Sequence, residues 1–346
     1  MNVTYILGNG FDLHLGMKTS FQDICKSYVN EKSNNKIISD FKALLKEDAP
    51  LYNNWSDFEI AMGKHSVEFE NFEDYKLCIH SFRDYMVAYL QEEEKKYFDF
   101  LEKYQIPNYK YNVLLENLCN SIYLSPRNAV VEDLRNRGSI RESFITFNYT
   151  TILDRIISIY NYGNTYKSYP NVVHIHNDLK GSILFGVDNE EQILNIAFRG
   201  DKRKNRTFIK PFINNEIEYN KVNSIINTIQ NSNIICIYGM SLGDSDLTWK
   251  KEIFKWLANS KNHILVYFRY NDLSFAKHNS DDILNLEDDY KTEVLEKLGC
   301  TENIDELMEQ IIVPINEDII DFTTYVKENF ATKESIKNRP IEGAMN

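Results

Sequence analysis

Short apolar runs alternate with amphipathic helical patterns through the second half of the chain, and one such run also opens it. The runs cover residues 3–7, 144–147, 172–176, 183–187, 234–238 and 263–268. Buried strands of this length, separated by helices, are typical of a parallel sheet with helical crossovers. The sequence therefore predicts an α/β fold with one mostly parallel sheet.

A long helical pattern separates the first apolar run from the others. Its clearest stretch is one apolar stripe at alternating steps of four and three, formed by Tyr75, Ile79, Phe82, Met86 and Tyr89. We therefore expect a sheet domain built from residues 1–21 and 140–275 and split by a helical insertion at 22–139. Residues 276–346 are expected to form a mostly helical C-terminal region.

Composition and charge narrow the function and the compartment. The 346-residue chain carries 39 Lys and Arg against 51 Asp and Glu, a net charge of −12, which argues against non-specific duplex binding. The five cysteines form no Cys-x-x-Cys pair, so no zinc is expected. The chain shows neither a signal peptide nor an apolar stretch of membrane-spanning length. These features predict a cytoplasmic protein with no membrane partner.

Glycine is scarce, with 13 in the chain, so a glycine loop after the first apolar run is informative. Its residues of interest are Gly8, Asn9, Gly10, Phe11, Asp12 and Gly16. Glycines after a buried strand let the backbone approach a ligand phosphate, with N–H groups pointing at it. A tight strand-to-helix turn explains the same residues, and the spacing does not match the fingerprint Gly-x-Gly-x-x-Gly.

A second glycine loop follows the run at 234–238. It contains Gly239, Ser241 and Gly243, and then three residues that can cap a helix, of which Asp246 is the last. The Gly-x-Ser-x-Gly pattern also matches the nucleophile elbow of serine hydrolases. Those enzymes need an acidic residue and then a histidine downstream, where only His278 lies outside a predicted strand.

Polar residues near two other strand ends are candidates for chemistry. Asn148 follows the run at 144–147, and it faces a ligand crevice or caps the next helix. His174 and His176 share one face of a predicted strand, but a metal site needs further ligands and none is in register. His176 is the last residue before a polar turn. Of the two histidines it is the better placed to act as a general base.

Two charged segments have both a structural and a functional interpretation. Residues 199–206 carry five basic residues and one acidic residue, which fits a phosphate-gripping segment or a solvated loop. Ser56 and Glu59 match a capping box at a helix start. Glu59 alternatively offers a carboxylate from the insertion to the cleft of the sheet.

Taken in order, these segments resemble the AbiH family of phage abortive-infection proteins. The resemblance rests on residues 8–12 with 16–20, on 147–150, on 174–176 with 185–186, and on 238–246. It implies a role in phage defence.

More distantly, the same segments resemble the sirtuin-like NAD-binding fold, which is Rossmann-like. Gly8, Gly10 and Gly16 match the spacing of the sirtuin glycine loop, and Asn148 and His176 match the sirtuin Thr-Gln-Asn and catalytic His. The resemblance implies that Asn148 and His176 are catalytic and flank the nicotinamide ribose. It also implies an NAD-binding set: Gly8, Asn9, Gly10, Phe11, Asp12, Gly16, Gly239, Ser241 and Asp246.

The chain departs from these patterns at several positions. Thr150 stands where sirtuins carry Asp, Asn177 replaces the Gly after the catalytic His, and Met240 stands where the AbiH pattern has His. The sirtuin zinc cysteines are absent, which argues against protein deacetylation.

Three functions remain in competition. The leading one is a phage-defence effector that binds NAD and hydrolyses its nicotinamide–ribose bond. The second is a metal-dependent nuclease or nucleotide phosphohydrolase, which would use Asp12, Asp57, Glu59, Asp244 and Asp246. The third is a non-catalytic sensor of a nucleotide or a phage protein. The expected partners are a nucleotide and an unknown phage trigger, and the helical insertion suggests a homo-oligomer by analogy.

Overall fold

The central element is one parallel sheet. The computed structural model describes residues 1–48, 55–103, 141–163, 171–271 and 280–316. The strands in these ranges are β1 (Asn2–Leu7), β2 (Arg141–Thr146), β3 (Val173–His174), β4 (Ile234–Tyr238), β5 (Ile264–Tyr267) and β6 (Ile311–Ile312). They form one six-stranded sheet in the order β3-β2-β1-β4-β5-β6, and each neighbouring pair is parallel. The predicted Rossmann-like α/β fold is confirmed.

The strand order locates the natural ligand site of such a sheet. In doubly wound folds with the order 3-2-1-4-5-6, ligands bind beyond the carboxyl ends of the strands where the order reverses. The reversal here lies between β1 and β4, the two strands that end in the predicted glycine loops. The fold therefore brings the two loops to one edge.

Helices surround the sheet. The described part of the chain between β1 and β2 is mostly helical. The described helices are α1 (Gly10–His14), α2 (Phe21–Asn30), α3 (Lys36–Asp48), α4 (Trp55–Lys64), α5 (Phe72–Lys103), α6 (Ile152–Gly163), α7 (Lys202–Phe208), α8 (Lys210–Ile217), α9 (Tyr219–Gln230), α10 (Leu247–Asn259), α11 (Ser280–Leu298) and α12 (Ile304–Met308). The described residues also form short 3-10 turns at His65–Glu68, Glu190–Gln192, Ile196–Phe198 and Asp244–Asp246.

Both faces of the sheet are buried because side chains alternate across each strand. Tyr5 and Leu7 of β1 pack on one face with α1, α6 and the end of α5. Ile6 packs on the other face with α9, α10 and α11. This two-sided cover explains why β1 and β4 are apolar at nearly every position.

The insertion between β1 and β2 has a hydrophobic cluster of its own. The predicted apolar stripe lies on α5, where Tyr75, Ile79, Phe82 and Met86 are fully buried. Phe58 of α4 stacks on Phe21 at 4.0 Å between ring centroids. The segment after β3 contributes further residues to this cluster, among them Leu179, Phe185 and Phe208. The insertion therefore packs against the part of the chain that leaves the sheet after β3.

Two strand predictions need correction. Residues 183–187 are not a strand of the sheet, since their ladder is one isolated bridge between Val187 and Ile209. They are apolar because they pack into the cluster of the insertion. The strand predicted at 172–176 ends at His174, so His176 lies beyond it.

The predicted C-terminal region contributes to the sheet as well as to the helices. Ile311 and Ile312 form β6 at its edge, and two residues are too short a strand to detect by pattern. The helical part of the prediction is represented by α11 and α12. Residues 317–346, and 104–139 of the predicted insertion, lie outside the described residues.

Two local predictions also change. The loop predicted from residue 8 to Gly16 contains helix α1. The basic loop predicted at 199–206 becomes helix α7 from Lys202 onward.

A membrane-crossing helix needs a length and an apolar content that no helix among the described residues combines.

Candidate functional site

A cavity of about 260 Å³ lies at the carboxyl edge of the sheet, beside the reversal point between β1 and β4. Its walls include nine of the residues singled out in the sequence: Gly8, Asn9, Gly10, Asp12, Asn148, His176, Gly239, Ser241 and Asp246. Phe21 and Leu90 of the insertion add apolar walls. The loops at the edge of the sheet and the helices of the insertion therefore enclose one cavity.

Phe11 and Gly16 do not line this cavity. Phe11 is buried in the sheet core, with its ring edge-on to Tyr238 at 6.3 Å. Gly16 follows α1, and its N–H donates to the Leu13 carbonyl. Both shape the loop that carries Asn9 and Asp12.

The glycines of the two loops allow backbone to pack on backbone. A Cβ on Gly10 would lie 2.5 Å from Gly239 Cα, and one on Gly8 would lie 2.7 Å from the Gly239 carbonyl oxygen. The N–H groups of Gly8 and Gly10 donate to the carbonyls of Tyr238 and Gly239, at 2.9 and 2.7 Å. Because these two N–H groups are used within the protein, the expectation that they point at a phosphate is wrong. The glycines give the loops their close fit.

Asp12 is a buried carboxyl on the cavity wall. Its Oδ2 accepts a hydrogen bond of 2.6 Å from Thr150 Oγ1, while Oδ1 has no hydrogen-bond partner in the part of the chain that the structure describes. Burial raises the pKa of Asp12 to about 7, although Thr150 and Asn148 both lower it. Asp12 is therefore poised to change charge near neutral pH.

Asn148 is fixed by its backbone, and its side chain lies on the cavity wall beside Asp12. Its N–H donates to Thr146 Oγ1 at 3.1 Å, and its carbonyl accepts from His174 Nδ1 at 2.9 Å. His174 Nε2 lies 2.8 Å from an Asp154 carboxylate oxygen. Burial lowers the pKa of His174, but Asp154 and the Asn148 carbonyl outweigh it and raise the pKa overall. Asn148 Oδ1 is buried, and none of the described residues makes a hydrogen bond to it.

His176 forms a pair with Asp246 at the far wall of the cavity. His176 Nε2 lies 3.0 Å from Asp246 Oδ1, and a carboxylate only accepts, so Nε2 carries the proton. Burial and the charge of Lys210 lower the pKa of His176, against the opposing charge of Asp246. The imidazole is therefore neutral at pH 7. Its Nδ1 is a buried acceptor to which no described residue donates a hydrogen bond.

Lys210 was not predicted from the sequence, yet it joins the two sides of the site. Its Nζ donates to Glu59 Oε2 at 2.8 Å and to Asp246 Oδ1 at 2.9 Å. Burial disfavours its charge, but Asp246 and Glu59 outweigh it and raise the pKa of Lys210. The available signal was a single charge within the apolar run at 208–213, because a buried lysine needs an anionic partner.

A protein-family model matches the part of the chain that contains all of these residues. The family described as bacteriophage abortive infection AbiH matches residues 4–268, from the first strand to the end of β5 and with every cavity residue named above. The chain belongs to the AbiH family. The resemblance to the AbiH family inferred from the motifs is therefore confirmed. A search of curated proteins gave no match.

Ser56 and Glu59 connect the insertion of this AbiH-family chain to the second glycine loop and to the segment after β3, respectively. Ser56 Oγ accepts a hydrogen bond of 3.0 Å from the Ser245 N–H. Glu59 Oε1 accepts one of 3.1 Å from the Gly186 N–H. In one of the two interpretations of the sequence, Glu59 offers a carboxylate from the insertion to the cleft of the sheet. In the structure Glu59 lines the wall of the cavity.

Three of the five carboxylates considered for a metal site in the AbiH-family chain pair with lysines. Lys210 lies between Glu59 and Asp246, where a cation shared by two carboxylates would bind. Asp244 is largely exposed and pairs with Lys250 at 2.8 Å. Within the described residues, no group of three or more His, Cys, Asp or Glu side chains is arranged to hold a metal ion.

Two sequence departures also find a place in the AbiH-family structure. Asn177 adopts φ = 60°, a left-handed conformation typical of glycine and tolerated by asparagine, so the turn after His176 is one that a glycine would make. Met240 lines the cavity.

In the basic segment at 199–206, Lys202 and Arg206 both pair with Glu216, at 2.6 Å each.

Proposed function

We propose that this AbiH-family protein acts in abortive infection by binding NAD and hydrolysing the bond between nicotinamide and ribose. One observation carries the proposal. Three buried polar atoms that find no hydrogen-bond partner among the described residues belong to one cavity: Asp12 Oδ1, Asn148 Oδ1 and His176 Nδ1. Buried polar groups are nearly always satisfied, so three exceptions on one cavity favour a polar ligand there.

The fold favours a nucleotide as that ligand. The cavity lies at the reversal point of a Rossmann-type sheet, where nucleotides bind in such folds. Its volume of about 260 Å³ is slightly below the range of roughly 300–1,000 Å³ that is usual for small-molecule sites. It suits one nucleoside half of a dinucleotide, with the rest of the molecule along the opening.

His176 is the proposed catalytic base. Its neutral imidazole keeps a lone pair on Nδ1 while Asp246 holds the proton on Nε2. In the proposed reaction the C1′–N1 bond breaks and its electron pair stays on nicotinamide, which leaves uncharged. Water adds to C1′ of the ribosyl cation and gives one proton to Nδ1. The products are nicotinamide, ADP-ribose and one proton.

Asn148 and Asp12 would act on the same sugar. The Asn148 amide both donates and accepts, and it can therefore position the attacking water or a ribose hydroxyl. A negative charge on Asp12 favours both the cationic nicotinamide ring and the positive charge that develops at C1′. The raised pKa of Asp12 means that a cation in the cavity would promote its ionisation.

Purified protein tests the proposal directly. We expect wild type to convert NAD to nicotinamide and ADP-ribose, as followed by chromatography, with phage components supplied where a trigger is required. His176→Ala and Asn148→Ala should each reduce turnover by about 10²–10⁴-fold. His80→Ala is the matched control, because His80 lies on α5 and does not line the cavity.

The competing functions give different results in the same experiment. Cleavage of DNA, RNA or a nucleotide that stops on addition of EDTA would favour the metal-dependent alternative. Intact NAD, together with full phage protection by both variants in cells, would favour a non-catalytic sensor.

A further inference from the structure

We infer that Lys210, held by Glu59 of the helical insertion, is a positioning residue that keeps the Asp246–His176 pair in its proton-accepting form. The inference rests on the proposed function, in which His176 Nδ1 is the base. It concerns how the base is prepared, and it assigns roles to two residues outside the predicted catalytic pair.

The location of Lys210 is fixed by backbone and side-chain contacts. It opens α8, and its N–H donates to the Val187 carbonyl at 2.9 Å. Its ammonium reaches Glu59 Oε2 at 2.8 Å, Asp246 Oδ1 at 2.9 Å and Ser245 Oγ at 3.5 Å. An ammonium has three hydrogens, and these three acceptors account for them.

One carboxylate oxygen links this ammonium to the base. Asp246 Oδ1 accepts from Lys210 Nζ and also from His176 Nε2. While Lys210 keeps Asp246 ionised, the carboxylate can only accept, so the imidazole proton stays on Nε2. The positive charge of Lys210 also opposes a second proton on the ring. Both effects leave the Nδ1 lone pair available.

Loss of the positive charge of Lys210 would favour the charged form of His176 over the neutral form. A histidine beside an unneutralised carboxylate becomes an imidazolium, because the ion pair favours the charged form. Nδ1 would then carry a proton and could not accept one. The expected consequence is a base that is inactive at neutral pH although both members of the Asp246–His176 pair are intact.

Other charges around His176 do not replace Lys210. Lys221 of α9 adds a positive charge that lowers the pKa of His176 less than Lys210 does, and it pairs with Glu218. Asp188 lines the small adjoining cavity with His176, Lys210 and Asp246. The Tyr149 ring lies 6.4 Å from the imidazole, centroid to centroid. Of these groups, Asp246 makes the hydrogen bond to the ring, and Lys210 is the cation bound to that same carboxylate.

The anchor of Lys210 comes from the insertion. Glu59 lies on α4, which also contacts the second glycine loop through Ser56 and Ser245. The segments that follow β3 and β4 therefore supply His176 and Asp246, and the insertion supplies the second carboxylate that orients the cation. The site is incomplete without α4.

Nuclear magnetic resonance of the histidine side chains tests this without any substrate. In wild type we expect His176 at pH 7 to be neutral with its proton on Nε2. Lys210→Met should produce an imidazolium at pH 7, with a titration midpoint higher by about 1–3 pH units. Glu59→Gln is the matched control, because it removes the negative charge but keeps an amide oxygen that accepts a hydrogen bond from the ammonium. The cation therefore stays on Asp246, and His176 should stay neutral.

Two further variants guard against a folding defect. Lys210→Met combined with Glu59→Gln removes the carboxylate that would be left unpaired, and it should give the same imidazolium. Lys210→Arg keeps the cation and should keep the ring neutral. An imidazolium at pH 7 in wild type, or an unchanged titration in the variants that lack the cation, would overturn the inference.

Enzyme kinetics separate this inference from the proposed function. If NAD is cleaved, Lys210→Met should shift the acid limb of the pH–rate profile upward by about 1–3 pH units and recover turnover at high pH. A purely structural loss would lower the rate equally at every pH. If NAD is not cleaved but the histidine titrations behave as expected, the proposed function fails and the positioning role stands.

Discussion

Asp246 Oδ1 lies 3.0 Å from His176 Nε2, although 70 positions separate the two residues in the chain. The contact forms because β3 and β4 run parallel, so the segments that follow them emerge at the same edge of the sheet. His176 comes two residues after β3 ends, and Asp246 closes the 3-10 turn before α10. The pair leaves His176 Nδ1 as a buried acceptor on the wall of the cavity.

Asp12→Asn should remove a pH-dependent loss of stability. The pKa of Asp12 is raised from 3.8 to about 7, so the wild-type fold is stabilised by this group below pH 4 and loses that stability as the pH rises through 7. The shift corresponds to about 4 kcal/mol in the free energy of unfolding. Denaturant unfolding at pH 4 and pH 8 should show a smaller difference for the variant than for wild type.

The control is Asp40→Asn, which changes an exposed carboxylate on α3. This variant should keep the wild-type difference between the two pH values. Equal pH dependence in wild type and Asp12→Asn would contradict the account of Asp12.

His174→Gln should destabilise the protein mainly at low pH. The raised pKa of His174 means that its charged contacts with Asp154 and the Asn148 carbonyl are fully present below pH 6.5 and fade as the pH rises through the folded-state value. The expected cost at pH 6 is about 1.5–3 kcal/mol, the usual range for hydrogen bonds to charged groups. Denaturant unfolding at pH 6 and pH 9 checks it, and a larger cost at pH 9 would oppose the assignment.

Gly10→Ala should destabilise the contact between the two glycine loops. The new Cβ would lie 2.5 Å from Gly239 Cα and 2.8 Å from its carbonyl oxygen, and neither backbone atom can move cheaply. Overpacking of this kind typically costs about 1–3 kcal/mol. Gly181→Ala is the matched substitution, since its Cβ would meet no atom within 4 Å. Similar melting temperatures for the two variants would argue against tight packing of the loops.

Much of the sheet was predictable because its central strands are continuous apolar runs. β1 and β4 are buried on both faces, and their ends agree with the predicted ones to within a residue. β6 contains two residues, which is too few for any periodicity. Phe185 and its neighbours look like a strand because the insertion buries them, and burial alone does not distinguish a ladder from a packed coil.

The candidate site was predictable where polar residues follow strands, and much less so elsewhere. Asn148 and His176 are close to the carboxyl ends of β2 and β3, so strand direction alone predicts that they converge. Lys210 starts a helix far from any strand end, and its role depends on a fold that brings Glu59 beside it. Only tertiary packing reveals such a bridge.

Metabolite profiles of phage-infected cells that carry wild type or His176→Ala test the central claim most directly. The account predicts that NAD falls while nicotinamide and ADP-ribose rise in wild-type cells after infection, and that none of these changes occurs with His176→Ala expressed at the same level. Equal NAD levels in the two strains, with the wild-type strain still protected against phage, would contradict it.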